Sequence, residues 1–499
     1  MDRISRRTFI KDMGKGLGVG AAALSAPAWF EHAVAQAQLD IPSHSEMYNI
    51  LTRALSRGGH YSDLFLEVRQ TAHIVIASSE IKAMEYGILK GGGVRTVFGE
   101  KVGYAYAETF DPETLADVAD TAARIAAGGG GIQPIRARRM NFPQIISARK
   151  PIGDAEVVEK VRILERVDHA ARAVGPHVKQ VRIDYRDAAQ VFTVVSSDGR
   201  LVTDELPVIY LRVTVSAARG EAVAEGMCRV SGRRGMELLD GSSPEDAGRA
   251  AAQQALRMLD ARPAPTGEMP VVIAKGGGVM FHEAVGHGLE ADAVLKNSTV
   301  FAGRVGEKVA TELVTLHDDS TIPGMRGSFN VDDEGTPGKK AILIEKGVLK
   351  GYMQDLRTAY NMGEETTANG RRQSFRHPAI VRMTNTNLLP GVDNPDEIVK
   401  ETKRGVFAAN FGGGEVDVTS GQFTFGLREA YLIEDGRITA PIKGANLVGS
   451  GPEVLTKIDR MGSDFDSWAG TCGKSDQWVP VTSGCPTLRV TGITVGGTA

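Results

Sequence analysis

Ala261-Arg262-Pro263-Ala264-Pro265-Thr266-Gly267 sets how this chain is organised. A helical pattern opens at Ser243-Pro244 and runs to about Asp260. Two prolines and a glycine cannot continue it, because proline lacks the amide donor and clashes with the preceding turn. The segment reads as a linker with one domain on each side. The boundaries expected are 38–262 for an N-terminal mixed α/β domain and 263–499 for a C-terminal, strand-rich domain. A length of 499 residues exceeds one ordinary core, which agrees with two. The fold class expected is α+β.

On the N-terminal side, Met47, Ile50, Leu51, Ala54 and Leu55 recur at helical spacing and stop at Gly58-Gly59. Residues 63–69 put Leu64, Leu66 and Val68 on one face, as in a strand. Residues 94–98 and 102–107 flank Gly99-Glu100-Lys101 as a hairpin. A helix then begins with Asp111 as cap and Pro112 in its first turn, and Gly128 to Gly131 end it. Val157, Val161, Leu164 and Val167 mark a long amphipathic helix over 154–174. Strands dominate from 178 to 230, with Asp198-Gly199 as a turn.

On the C-terminal side, strand and turn signals prevail. Leu343-Ile344-Glu345-Lys346-Gly347-Val348-Leu349 and Leu432-Ile433-Glu434-Asp435-Gly436-Arg437-Ile438 read as two similar hairpins. They predict a mainly antiparallel sheet. A free edge of that sheet could receive an extended peptide through backbone hydrogen bonds.

The first 37 residues read as an address. Ser5-Arg6-Arg7-Thr8-Phe9-Ile10-Lys11 is a basic head, Leu17 to Leu24 a short apolar stretch, and Ala35-Gln36-Ala37 a cleavage site. Paired arginines point to the twin-arginine route, so the chain is expected to be exported to the periplasm or beyond the cytoplasm. The apolar stretch is too short to span a bilayer, and no transmembrane anchor is expected. The net charge of -3 argues against a nucleic-acid partner, which usually meets a basic protein. Three cysteines, Cys228, Cys472 and Cys485, are too few for a disulfide framework.

Chemistry concentrates in Gly276-Gly277-Gly278-Val279-Met280-Phe281-His282-Glu283-Ala284-Val285-Gly286-His287-Gly288-Leu289-Glu290. A His-Glu pair followed by a second histidine is the pattern of a helical zinc site with an adjacent general base. The usual histidine spacing is four. Here it is five, which on an ideal α-helix separates the two imidazoles by about 140°. A bulge or helix end near Gly286 and Gly288 must bring His287 back toward His282. Catalytic zinc usually takes three protein ligands and keeps one position for water. Candidates for the third are Cys472, Glu290, Asp292 and the His317-Asp318-Asp319 group. Lys474 could help hold a Cys472 thiolate. His317-Asp318-Asp319 reads more naturally as a surface turn, and Cys228 and Cys485 as small buried hydrophobes.

The sequence resembles the TldD/PmbA family of metallopeptidases, also called the modulator of DNA gyrase family. The resemblance is carried by residues 282–292, by Gly327-Ser328-Phe329-Asn330-Val331-Asp332-Asp333-Glu334-Gly335, by Gly370-Arg371-Arg372 and Arg382-Met383-Thr384-Asn385-Thr386, by Lys443-Gly444-Ala445, and by Cys472-Gly473-Lys474 and Pro486-Thr487-Leu488-Arg489-Val490. It implies that His282, His287 and Cys472 hold one Zn2+ per active subunit and that Glu283 is the catalytic base. It implies hydrolysis of peptide bonds in unfolded or extended peptides. It also implies a dimer, formed with a second copy or with a sister subunit lacking the zinc motif. The rival reading is a non-catalytic peptide-binding scaffold with a structural zinc, which would need a fourth protein ligand.

Overall fold

The structure is a computed structural model, and it describes residues 41–128 and 133–497. The expected export signal and Gly129 to Gly131 lie outside the described residues.

The first half is one sheet with helices on one face. Its strands are β1 (Tyr61–Ala77), β2 (Glu80–Phe98), β3 (Lys101–Ala107), β4 (Val178–Ser196), β5 (Arg200–Arg219) and β6 (Ala222–Gly232). They run in the order β3-β2-β1-β4-β5-β6, and the short strand Arg138–Arg139 joins the start of β5 in parallel. All other neighbours in this sheet are antiparallel. Four helices follow the expected signals: α1 (His44–Ala54), α2 (Pro112–Ile125), α3 (Val157–Arg172) and α4 (Ser243–Met258). Ser43 and Glu46 form a capping box on α1, and Asp111 accepts from the Thr114 amide at the start of α2.

Alternation along β1 assigns its two faces. Leu64, Leu66 and Val68 pack with α1 and α2. Further along the same face, Ile74 and Ile76 pack with α3 and α4. The odd residues turn the other way. Phe65 enters a core shared with Phe329, Val331, Ala368 and Phe375 of the second half. Asp63, Glu67 and Arg69 share that face and also meet the second half. Asp63 pairs with Arg372 at 3.0 Å, Glu67 accepts from the Phe375 amide at 2.8 Å, and Arg69 donates to the Gln373 carbonyl at 2.8 Å. The two halves are thus joined by a mixed apolar and ionic layer.

The second half contains two large sheets on one core built from residues between Val271 and Val495, and a two-stranded ladder of Gly370–Arg371 with Ile380–Val381. Its strands are β7 (Gly267–Ile273), β8 (Leu316–Asp319), β9 (Lys340–Glu345), β10 (Val348–Leu349), β11 (Asn385–Leu388), β12 (Arg404–Val416), β13 (Gln422–Glu434), β14 (Arg437–Lys443), β15 (Ala445–Ser450), β16 (Ile458–Met461), β17 (Asp466–Lys474), β18 (Gln477–Cys485) and β19 (Leu488–Gly497). One sheet has the order β10-β9-β8-β11-β18-β17. In the other, β12, β7, β19, β15 and β13 pair in turn and β13 pairs back to β12, so the ladder closes on itself. Most pairs are antiparallel, with β7–β12 and β11–β18 parallel. The two similar hairpins turn through Lys346-Gly347 and Asp435-Gly436, all four residues at positive φ, as tight hairpin turns require.

Two expectations need correction. The segment 261–267 is not a free linker. Arg262–Pro263 pairs in parallel with Ile442 and Lys443, and Gly267 opens β7. His317-Asp318-Asp319 is not a surface turn but part of the buried strand β8. Its central aspartate can be buried because the Asp318 carboxylate accepts from the Thr384 amide (2.9 Å) and the hydroxyls of Thr384 (2.7 Å) and Thr386 (2.8 Å), and from Asn369 Nδ2 (2.8 Å).

Leu211 on β5 is fully buried against α3 and α4, whereas Val223 is 69% exposed. Leu211→Ala should lower the unfolding free energy by about 2–5 kcal/mol, and Val223→Ala should change it by less than about 0.5 kcal/mol. Urea denaturation followed by circular dichroism separates the two.

Candidate metal centre

The five-residue histidine spacing is met by a wide helical turn. After a short α-helical lead, Val279–Phe281, residues His282–Gly286 form a π-helix, and His287–Leu289 follow as a 3-10 turn. A π-helix bonds residue i to i+5, so its wider turn brings His282 and His287 closer to one side than a regular α-helix would. The two rings lie 5.7 Å apart, nearly perpendicular. The glycines work differently from the sequence expectation. Gly286 is ordinary right-handed helix, at φ −57°. What it provides is close approach: a Cβ there would lie 2.3 Å from Met383 Sδ. Gly288 is crowded in the same way by Phe301, at 2.9 Å. Gly278, where the turn begins, rests on the Gly484 backbone of β18, which a Cβ would meet at 2.7 Å.

Cys472 reaches this turn from β17. Ligand-capable atoms of His282, His287 and Cys472 all lie within 4.8 Å of one another, and all three residues are buried. Cys472 Sγ stands 3.4 Å from His287 Nε2. Both ring nitrogens of His282 are buried without a hydrogen-bond partner. A buried imidazole left in that state calls for another partner. Two imidazoles and one thiol form a donor set suited to Zn2+, so the residues present fit a metal. Among the described residues, these three are the group of ligating side chains that meets.

Glu290 and Asp292 act beside this trio rather than within it. The Glu290 carboxylate lies 2.9 Å from His287 Nδ1, which leaves Nε2 facing Cys472. Lys474 Nζ donates to Glu290 at 3.0 Å and to Asp292 at 2.7 Å. Lys474 therefore holds the carboxylate that orients His287, not the thiolate itself. The sequence signal that would have found Glu290 is its position three residues after His287, on the same side of the turn. His317 stands apart, on β8.

The charges of the three candidate ligands and their neighbours are mutually consistent. Burial alone would push the Cys472 thiol up, but the His287 and His282 rings outweigh it and hold the thiol well below its ordinary value. Burial alone would push the His287 imidazole down, but Cys472 and Glu290 raise it well above normal. Glu290 is held at about 2, where burial is overcome by Lys474 and His287. Burial would raise the Glu283 carboxyl, but the neighbouring histidines lower it. Glu283 is thus an ionised carboxylate at neutral pH. Its carboxylate lies 3.3 Å from His287 Nε2 and keeps 28% of its side chain exposed.

Glu283 and His287 open onto a cleft of about 580 Å³, also lined by Asp292, Val416, Thr419 and Lys474. β17 is the edge strand of its sheet. That edge is not simply free for a peptide, because Arg326 Nε donates to the Gly470 carbonyl (2.9 Å) and a terminal nitrogen of Arg382 to the Cys472 carbonyl (2.5 Å). Cys485 is buried, Cys228 is half-buried, and all three cysteines are free.

Three family models of the PmbA/TldA metallopeptidases match the chain: domain 1 over residues 62–126, the central domain over 150–259 and the C-terminal domain over 266–497. A protein named metalloprotease TldD homolog from Haemophilus influenzae is 40% identical over 466 residues, covering 91% of this chain and 97% of its own. One named zinc metalloprotease TldD homolog from Saccharolobus solfataricus is 26% identical, covering 90% and 100%. The crystal structure of TldE from Thermococcus kodakarensis has the same fold, with a TM-score of 0.74 at 19% identity, covering 91% of this chain and 100% of that one.

Gly286→Ala should destabilise the protein by about 1–3 kcal/mol, the range for overpacking a tight contact. Met383→Ala in the same chain should recover part of that loss. A double-mutant cycle on unfolding free energies measures the coupling, and strictly additive effects would show that the two residues do not constrain each other.

Proposed function

This chain belongs to the PmbA/TldD family of metallopeptidases, and from that premise we propose that it is a zinc-dependent peptidase with Glu283 as general base. The observation that carries this reading is the meeting of His282, His287 and Cys472 around one point, with Glu283 at the rim of an open cleft. His282 and His287 would hold the ion through ring nitrogens, and Cys472 through its thiolate. When bound, Zn2+ would supply Lewis acidity, polarising a scissile carbonyl and making water acidic enough to lose a proton near neutrality.

The remaining work falls to the chain itself. Glu283 takes the proton from the attacking water on a carboxylate oxygen and passes it to the leaving amide nitrogen. Glu290 fixes the ring of His287 through Nδ1, and Lys474 fixes Glu290, so the ligand is oriented before any metal arrives. Helix, strand and glycine contacts bury the ligands while leaving Glu283 reachable. Among the described residues three ligating side chains meet, not four, which favours catalysis over the structural-zinc scaffold.

The substrates proposed are unfolded or extended peptides, the form in which a backbone can enter the cleft beside Glu283. The dimer proposed pairs this chain with a second copy or with a TldE-like sister lacking the zinc motif. The likeness to a TldE structure supports that choice through the fold alone. The paired arginines at Arg6-Arg7 and the small residues at Ala35-Gln36-Ala37 support export by the twin-arginine route. No helix among the described residues is long and apolar enough to cross a membrane.

Metal analysis and digestion of an unstructured peptide test this together. Glu283→Gln should keep one zinc per chain and lose about 10²- to 10⁴-fold in turnover. Cys472→Ala should lose the metal. Glu290→Gln should weaken zinc binding about 10- to 100-fold. Full activity in Glu283→Gln, or full zinc content in Cys472→Ala, would remove the assignment.

A further inference from the structure

Behind the strand that carries Cys472 lies a second cavity, at the junction of the two halves. Its volume is about 220 Å³, room for roughly seven water molecules at their liquid volume. Six arginines line it: Arg69, Arg186 and Arg233 from the first half, and Arg326, Arg371 and Arg372 from the second. Thr471 also lines it. Successive residues of a strand point to opposite faces, so Thr471 faces this cavity while Cys472 faces the metal centre.

Three of the six arginines have carboxylate partners outside the cavity. Arg69 pairs with Glu67 at 2.6 Å, Arg186 with Asp184 at 3.0 Å and Arg372 with Asp63 at 3.0 Å. The other three do not. Arg326 donates to neutral oxygens of Gly470, Ser231 and Thr471. Arg371 donates to the carbonyls of Met383 and Pro480. Arg233 is only 5% exposed, its Nε has no hydrogen-bond partner, and no carboxylate among the described residues lies within ion-pair distance of it.

Two aspartates do line the cavity, and both are engaged. Asp332 accepts from the amides of Glu334 (3.0 Å), Thr336 (2.8 Å) and Gly370 (3.3 Å). Asp333 accepts from the Arg372 amide at 2.7 Å. Burial also raises both carboxyls, which weakens their value as counter-charges. On the cationic side, burial among other arginines pushes Arg233 down to about 9. An isolated buried guanidinium is costly unless a counter-charge accompanies it, and guanidinium forks suit the paired oxygens of phosphate and carboxylate.

We propose that this cavity binds a small oxyanion, held by Arg233, Arg326 and Arg371, which bridges the two halves directly behind the metal-bearing strand. The shared chemistry is a phosphate or carboxylate group. Free in solution, it would be a phosphate-sized ion; on a peptide, it would be the C-terminal carboxylate or an acidic side chain. The inference does not depend on the peptidase reading, because it rests on a different set of residues and is tested without turnover.

The test is calorimetry and thermal unfolding of the full mature protein with inorganic phosphate, against sodium chloride at matched ionic strength. The wild type should show saturable binding of one phosphate and a saturable rise in Tm. Arg233→Met should weaken phosphate binding about ten-fold or more, the scale of one lost charged hydrogen bond. Its Tm without phosphate should not fall, because an unpaired buried charge has been removed. Phosphate bound at the metal centre instead would survive this variant. Arg186→Gln is the second variant, since its side chain is 60% exposed and folding is not at stake; it should weaken binding several-fold. Competition by a short peptide acid, but not by its amide, would support a peptide-borne group; no competition by either would support the free ion. No saturable effect beyond that of chloride, or unchanged phosphate binding in both variants, overturns the proposal.

Discussion

The five-residue separation of His282 and His287 is the constraint to which the rest of the site conforms. On a regular α-helix the rings would diverge. A π-turn closes that divergence, but such turns are rare and persist only where their surroundings hold them. Here the surroundings are backbone, sulfur and an aromatic ring in close packing. Gly278 rests on Gly484, Gly286 on Met383 and Gly288 on Phe301. The Met383 segment is itself fixed. Its carbonyl accepts from Arg371, and the next amide, of Thr384, donates to Asp318. A buried aspartate on β8 and a buried arginine at the interdomain cavity thus set where Met383 lies, and Met383 sets how the histidine turn packs.

The charges follow the same logic of mutual support. A thiolate and an imidazolium in a dry site would each be prohibitive alone. Paired, they stabilise one another, and the direction of every shift around Cys472 and His287 reflects that pairing. Glu290 extends the pair on the far side of His287, and Lys474 closes it against Glu290 and Asp292. The chain alternates sign along Cys472, His287, Glu290 and Lys474. A metal entering such a site would displace protons, not rearrange side chains, because the neighbours that orient the ligands are already bonded.

Much of this was legible in the sequence, for reasons that differ from residue to residue. Helix starts at Asp111-Pro112 and Ser243-Pro244 follow from local chemistry, so they needed no tertiary knowledge. The hairpins through Lys346-Gly347 and Asp435-Gly436 did too. Strand length was not legible. β2 starts at Glu80, well before the strand expected over 94–98, and runs through Gly91-Gly92-Gly93, where Phe375 and its carbonyl press on Gly91 and Gly93. At the site, the His-Glu-x-x-x-His string singled out two histidines and a candidate base, while Cys472 stood as one of several candidate third ligands until the family resemblance chose it. The role of Glu290 was missed because a carboxylate after a helix usually faces solvent. The arginine cavity was invisible for a simpler reason: its arginines lie scattered from 69 to 372, and only Arg371 and Arg372 are adjacent.

The junction between the halves explains why so much charge is buried far from the candidate metal centre. β1 has an apolar face toward the helices, and its opposite face carries Asp63, Glu67 and Arg69. Asp63 binds both Arg95 and Arg372, and Arg95 also reaches Glu334 at 2.7 Å. An apolar junction of equal area would tolerate sliding, since one methyl contact resembles another. An ionic one does not. A one-residue slip of β1 would turn its acids toward the helices and its leucines toward the arginines, exchanging every partner at once. Breaking a single such buried pair costs about 3–5 kcal/mol, so a slipped register would be worse by several times that amount. The ionic layer therefore fixes the second half against the first in one register, and with it the relation of β17 to the arginines that face its other side.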